Sequence, residues 1–277
     1  LIDPWLRSKL AHKKQGKAVH KNKQQKKIIA LIGGMGPESG LKLHSYLLSQ
    51  AQKFKPIERD QDHLDVVHLS FGSQIPDRTD FLVGKSSDNP ADAVFDQFLV
   101  LQDMARYYKR KFLAIIACNT FHAAPIYNRL LKRIDEASVK EVELLNLIQQ
   151  ATTHIKDNLP KTTKIGILST TGEKQQKIYK SALEDAGYSA IQTDEEMQKV
   201  LHNCIYDIKA SSSLSAACET IIDEILRKFE QQGVKAVILG CTELSLVTDT
   251  IEWPGEIINP LQIAADNLIK NVLQVSS

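Results

Sequence analysis

The sequence predicts an α/β fold of two similar units, each built on a parallel sheet. Short apolar runs rich in Ile, Leu, Val and Ala alternate with longer helical patterns along the 277 residues, as expected for strands buried on both faces and their crossover helices. The pattern starts over halfway, KIIALIGGMG opening one half and KIGILSTTG the other. Each half then delivers a cysteine from the end of an apolar strand, in AIIACNT and in AVILGCT. Such a weak internal repeat lets the two units face each other about a pseudo-twofold axis. Each presents one thiol from the carboxyl end of a strand, where open α/β sheets place their ligands.

In order, residues 28–32 read as a strand running into Gly33-Gly34-Met35-Gly36-Pro37. A helix over 37–53 follows, with Leu41, Leu43, Tyr46, Leu47 and Leu48 on a broad apolar face and proline at its first position. Residues 64–69 make a strand, 91–109 a helix, 112–117 a buried strand ending at Cys118, and 123–134 a helix. The second half places strands at 164–168, 235–239 and 257–258, the middle one ending at Gly240-Cys241. Its helices fall at 173–186, 194–206, 214–231 and 261–272.

The 43% hydrophobic content is enough for one large core or two modest ones. No apolar run is long enough to span a membrane, and no charged n-region leads into an apolar h-region, so no secretory signal is expected. The net charge of +2 is uneven: residues 1–27 hold nine Lys/Arg and one acid, leaving a mildly acidic body. Residues 1–26 read as a basic, solvated, disordered arm. The arm lacks the interleaved aromatics of a nucleic-acid reader, which argues against such a partner. The four cysteines, 118, 204, 218 and 241, form no C-x-x-C pair. That speaks against a zinc site and for free thiols in a reducing, cytoplasmic compartment.

The glycine-rich turn fails the dinucleotide fingerprint, because the third glycine position is Ser39. What remains is either a tight turn or a set of amides that approach an anionic group at a helix N-terminus. Cys118 is followed by Asn119 and Thr120, and Cys241 by Thr242 and Glu243, side chains suited to bonding a carboxylate. Cys204 and Cys218 sit in helical patterns and read as structural. Two thiols from facing units suit inversion at carbon: one removes a proton, a planar carbanion remains, and the other returns a proton from the opposite face. From spacing alone Arg78 belongs to a surface loop capped by Asp77, Lys209 is a solvated lysine, and His122 is either a helix-start residue or a modulator of the Cys118 thiol's pKa. The remaining histidines show no metal-ligand clustering.

These motifs resemble the aspartate racemases and the wider Asp/Glu amino-acid racemase family. The resemblance rests on Ile32-Gly33-Gly34-Met35-Gly36-Pro37, Gln74-Ile75-Pro76-Asp77-Arg78-Thr79, Ala117-Cys118-Asn119-Thr120-Phe121-His122, Tyr206-Asp207-Ile208-Lys209-Ala210 and Gly240-Cys241-Thr242-Glu243-Leu244. It implies two flavodoxin-like domains with the active site in the cleft between them. The first would cover 27–143 plus 257–277 and the second 144–256, the last helix returning to the first. It implies a cofactor-independent racemase acting on aspartate or glutamate, without pyridoxal phosphate or metal, commonly as a homodimer. Cys118 and Cys241 would exchange the α-proton, Cys118 serving the D-isomer and Cys241 the L-isomer. Asn119, Thr120 and Thr242 would hold the α-carboxylate, with help from the turn at Met35 and Gly36, and Glu243 would be a further substrate-binding residue. Arg78 and Lys209 would hold the distal carboxylate, reversing the reading from spacing. The chain departs from the family pattern at Phe121, at Asn146 and its neighbours, and at Asn259-Pro260. Alternatives are another cysteine-based relative, such as a maleate isomerase or hydantoin racemase, or a non-catalytic amino-acid binder.

Overall fold

The computed structural model describes residues 27–275, so the arm expected over 1–26 lies outside the described residues. The first half runs β1 (Lys27–Gly33), α1 (Pro37–Gln50), β2 (Val66–Ser70), α2 (Arg78–Leu82), α3 (Pro90–Tyr108), β3 (Lys111–Ile116), α4 (Ala124–Glu136) and β4 (Val142–Leu145). It continues with α5 (Leu147–Asn158), β5 (Lys164–Leu168), α6 (Thr171–Gln176), α7 (Ile178–Asp185), β6 (Ser189–Gln192), α8 (Glu195–Ser211) and α9 (Ala216–Gln231). It ends with β7 (Val234–Leu239), β8 (Glu256–Ile258) and α10 (Pro260–Leu273). All pairings are parallel, in two four-stranded sheets of order β2-β1-β3-β4 and β6-β5-β7-β8. By rank along each half the two orders are the same, so the internal repeat read from the sequence is a repeat of topology.

Both sheets are covered on both faces, because successive strand residues point to opposite sides. Along β1, Ile28, Ala30 and Ile32 pack with Phe98 and Phe112, whereas Ile29 and Leu31 pack with Leu43 and Leu268. In the second sheet Leu168, Val237 and Leu239 meet Ile205 and Phe229, while Ile165, Ile167 and Ile238 meet Tyr179 and Leu183. The last helix serves both units. Leu261, Leu268 and Ile269 of α10 join the cluster against β1 and β3, and Ile263 joins the one against β5 and β7.

The domain boundaries expected at 143/144 and 256/257 fall inside strands. β4 pairs with β3 through Leu145, and β8 pairs with β7 through Ile258. Hydrogen bonding therefore assigns 144–145 to the first sheet and 256–258 to the second. The helix expected over 173–186 is two helices, because Lys177 adopts a left-handed φ of 52° between α6 and α7. Four elements had no reading in the sequence, the five-residue α2 among them, since residues 78–82 read as part of a surface loop. β4 and β6 are four-residue strands at or near sheet edges, too short to show a period, and the polar LIQQATTHIKDN of α5 hides Leu147, Ile148, Ala151 and Ile155 at helical spacing. Among the described residues, no helix is long and apolar enough to cross a membrane.

Candidate active site

The carboxyl ends of the central strands of the two sheets converge on one cleft. β3 delivers Cys118 and β7 delivers Cys241, each 5% exposed. Each thiol is followed by a short 3-10 turn, Thr120–His122 in one case and Thr242–Leu246 in the other. Both turns keep their polar side chains buried at the strand end. The glycine-rich turn after β1 comes in from the first unit. Gly34 has a φ of +86°, and a Cβ there would lie 2.8 Å from the Gly72 nitrogen, so only glycine lets the two loops close on each other. This brings the Gly36 N–H to Glu243 Oε1 at 3.3 Å.

The cleft is lined by Met35, Arg78, Cys118, Asn119, Thr120, Lys209, Cys241, Thr242 and Glu243, all residues singled out in the sequence. Gly36 reaches it through its amide. Around Cys241 the bonds are short: the thiol donates to Glu243 Oε2 at 2.8 Å, and the Thr242 hydroxyl donates to the same oxygen at 3.3 Å. Lys209 lies 3.7 Å from Glu243 Oε1. Burial pushes the Cys241 thiol well above its usual pKa, and the Glu243 charge adds to this.

Arg78 was the least expected member. Asp77 does cap a helix there, accepting the Asp80 N–H at 3.0 Å, but the helix turns Arg78 inward to 7% exposure. Burial works against the guanidinium charge, yet Cys118, Asp77 and Glu243 outweigh it and its pKa is raised. One NH1 donates to the Pro76 carbonyl at 3.3 Å, while Nε is buried without a partner.

His122 does not meet the thiol. Its Nε2 accepts the Leu147 N–H at 3.3 Å, so Nδ1 carries the proton and donates to the Cys118 carbonyl at 2.9 Å. Burial lowers its pKa to about 4. Of the two readings open for His122, a helix-start residue or a modulator of the thiol, these contacts favour the first: the ring ties the cysteine loop to the start of α5.

The structure adds residues the sequence reading passed over. Asp77 accepts the Tyr206 hydroxyl at 3.0 and 3.1 Å. Burial works against the Asp77 carboxylate, but Arg78 leads the effects that hold its pKa below the usual value. The Thr120 and Thr170 hydroxyls share a bond of 3.1 Å across the two units, and the Tyr179 hydroxyl donates to Asn119 Oδ1 at 2.7 Å. A signal for two of these was present: Tyr206 precedes Lys209 by three positions on one helix, hence on one face, and Thr170 occupies the turn after β5 that repeats the turn after β1. Among the described residues, no cluster of three His, Cys, Asp or Glu is placed to hold a metal ion. The free space between these side chains is ≈ 10 Å³, about the room of one water by that measure. A wider depression of ≈ 780 Å³ near His154 and Lys270 contains no thiol.

The family model for Asp/Glu/hydantoin racemases matches residues 32–268. The fold is similar to that of the aspartate racemase of Picrophilus torridus, with a TM-score of 0.68 at 22% identity, over 89% of this chain and 94% of that one. It is also similar to an aspartate racemase homologue from Pyrococcus horikoshii OT3, with a TM-score of 0.65 at 20% identity, over 89% and 99%. In sequence, the glutamate racemase of Latilactobacillus sakei subsp. sakei (strain 23K) is 24% identical over 207 residues, which are 74% of this chain and 65% of that protein.

Proposed function

The chain belongs to the Asp/Glu/hydantoin racemase family, and on that premise we propose that it racemises aspartate or glutamate with Cys118 and Cys241 as a paired base and acid. One observation carries this reading. Two thiols from different units line the same cleft as a buried arginine whose Nε has no acceptor. A buried guanidinium N–H without a partner is costly, and a carboxylate supplies the missing acceptor in the geometry arginine prefers.

Asn119, Thr120 and Thr242 bond the α-carboxylate, with the Met35–Gly36 turn beneath it. Arg78 and Lys209 take the distal carboxylate, Lys209 exchanging its contact with Glu243 for the substrate. A thiolate on one face removes the α-proton, the carbanion flattens, and the thiol opposite returns a proton. The Cys241 thiol donates a hydrogen bond to Glu243, and burial and the Glu243 charge keep that thiol protonated, which makes Cys241 the acid and Cys118, beside Arg78, the base. Cys118 then works on the D-isomer first. For the L-isomer the roles exchange, as microscopic reversibility demands.

The test is proton NMR in D2O with L-aspartate and then L-glutamate, no cofactor added, while optical rotation is followed. Loss of the α-proton signal in parallel with rotation supports the reading and names the substrate. Absence of exchange with both amino acids, from folded protein with reduced thiols, overturns it in favour of a different cysteine-based isomerisation or a binding protein.

A further inference from the structure

Behind the cleft lies a buried carboxyl that neither thiol touches. Glu173 is fully buried in α6. Its side chain reaches past the break at Lys177, and its Oε1 accepts the Tyr179 N–H at 2.7 Å. Tyr179 is the second residue of α7, where an amide has no acceptor within its own helix, so Glu173 caps α7 from a distance. Its other oxygen, Oε2, is buried without a partner. Tyr179, also fully buried, sends its hydroxyl out of the second unit to Asn119 Oδ1 at 2.7 Å, and Asn119 Nδ2 donates back to the Leu239 carbonyl at 3.4 Å. Glu173 therefore holds the far end of a chain of bonds that finishes on the side chain next to Cys118. The units also touch here: a Cβ on Gly172 would lie 2.9 Å from Thr79 Oγ1.

We infer that Glu173 is a positioning residue whose protonation state sets the Tyr179–Asn119 bond, and with it the orientation of the Asn119 amide toward the substrate carboxylate. The role of Asn119 in binding rests on the racemase reading. An ionised carboxyl with one unpartnered buried oxygen is costly, and protonation removes the cost. Burial accordingly raises the Glu173 pKa to about 7, against the opposing influence of the Ser169 hydroxyl and the Tyr179 N–H. The titratable and charged groups around it do not relieve this. Burial raises Tyr179 on α7, and Cys241 beyond it, well above neutrality. His202 on α8 accepts the Thr171 N–H and is lowered by burial, and Lys174 is taken by Glu195 at 2.8 Å. Among the described residues, no cation lies within ion-pairing distance of Glu173. When Glu173 ionises, the Tyr179 N–H is its strongest compensation. Tightening that bond draws the start of α7, and the tyrosine ring with it, toward α6.

The experiment is a pH titration of isotopically labelled full-length protein, without substrate, from about pH 5 to about pH 9, reading side-chain carboxyl carbons and the Asn119 side-chain amide. The Glu173 carboxyl is the signal lost in Glu173→Gln. The expected result is one common midpoint near neutrality for Glu173 and Asn119, with the Asn119 shift lost in Glu173→Gln. Tyr179→Phe keeps the backbone donor, so Glu173 should still titrate while the Asn119 signal stays still; this variant also decides the matter if Glu173→Gln fails to fold. An Asn119 signal that ignores the Glu173 titration, or a shift that survives in Tyr179→Phe, overturns the inference. Where turnover is measurable, KM should show an inflection at the same midpoint, absent in Glu173→Gln, while kcat does not. If neither aspartate nor glutamate is turned over, the racemase reading fails while the NMR titration still decides the role of Glu173.

Discussion

Cys118 and Cys241 leave equivalent strands, β3 and β7, and each is followed by a 3-10 turn with a threonine at its start. Their surroundings then part company. The Cys118 turn continues into Phe121 and a neutral His122, and its charged neighbour is the Arg78 guanidinium. The Cys241 turn continues into Glu243, which accepts a hydrogen bond from the thiol at 2.8 Å and lies 3.7 Å from Lys209. A repeated topology thus gives two thiols at equivalent places, and a few substituted side chains give them opposite electrostatics. Two-base inversion needs that asymmetry, since one group must be ready to take a proton while the other is ready to give one.

The comparison breaks most directly at the sulfurs. Cys118→Ala and Cys241→Ala are each expected to lower racemisation by about 10²–10⁴-fold or more, with α-proton exchange surviving for one enantiomer and a different one in each variant. Equal loss of exchange for both enantiomers in both variants would mean the half-sites are not a base and an acid of opposite facing. Next in size, Arg78→Ala removes the cation beside Cys118 and a donor to substrate, with an expected fall in kcat/KM of about 10–10²-fold. Arg78→Lys should recover little, because the lysine lacks the planar fork.

On the other side, Glu243→Gln removes the carboxylate that holds Cys241 protonated. The Cys241 thiol pKa should fall, so alkylation by iodoacetamide at fixed pH should rise about tenfold per unit of that fall, read by mass spectrometry at Cys241 while Cys118 changes little. An unchanged Cys241 rate would remove Glu243 from the acid–base asymmetry.

The remaining effects are on stability rather than on activity. Glu173 has its folded pKa raised to about 7 from a usual carboxyl value near 4.3. The folded state therefore holds a proton that the unfolded state has lost, and stability declines as pH rises through that window. Glu173→Gln should match the parent near pH 5 and exceed it at pH 8, by an amount on the order of 3 kcal/mol; urea unfolding at the two pH values measures it. Tyr179→Phe, which cuts one of the bonds between the units, should cost about 1 kcal/mol with little dependence on pH.

Much of the fold was readable because its signals are local. The strands ending at Cys118 and Cys241 are unbroken apolar runs, and Pro37 and the side-chain caps Asp194 and Ser215 mark helix starts near where they were expected. The thiols, with Asn119, Thr120, Thr242 and Glu243, were legible because they adjoin those strands in sequence. Arg78 was recognised only through resemblance, since nothing in the spacing around Ile75-Pro76-Asp77 says that a five-residue helix will turn it inward. Tyr179 and Glu173 passed unremarked because their meaning comes from a helix break at Lys177, a left-handed residue that is not glycine.

Sequence by itself thus determined two parallel α/β units, the repeat of strand and turn between them and the thiol at the end of a strand in each, because periodicity and strand ends are properties of neighbouring residues. Only the tertiary structure decided which thiol meets a carboxylate, which arginine is buried beside the other, that His122 is neutral and faces backbone, and that a buried glutamate connects through Tyr179 to Asn119. Those are long-range contacts, Gly36 to Glu243 and Tyr179 to Asn119 among them. Burial and hydrogen bonding set the charge of a group through whatever surrounds it in space, whatever its place along the chain.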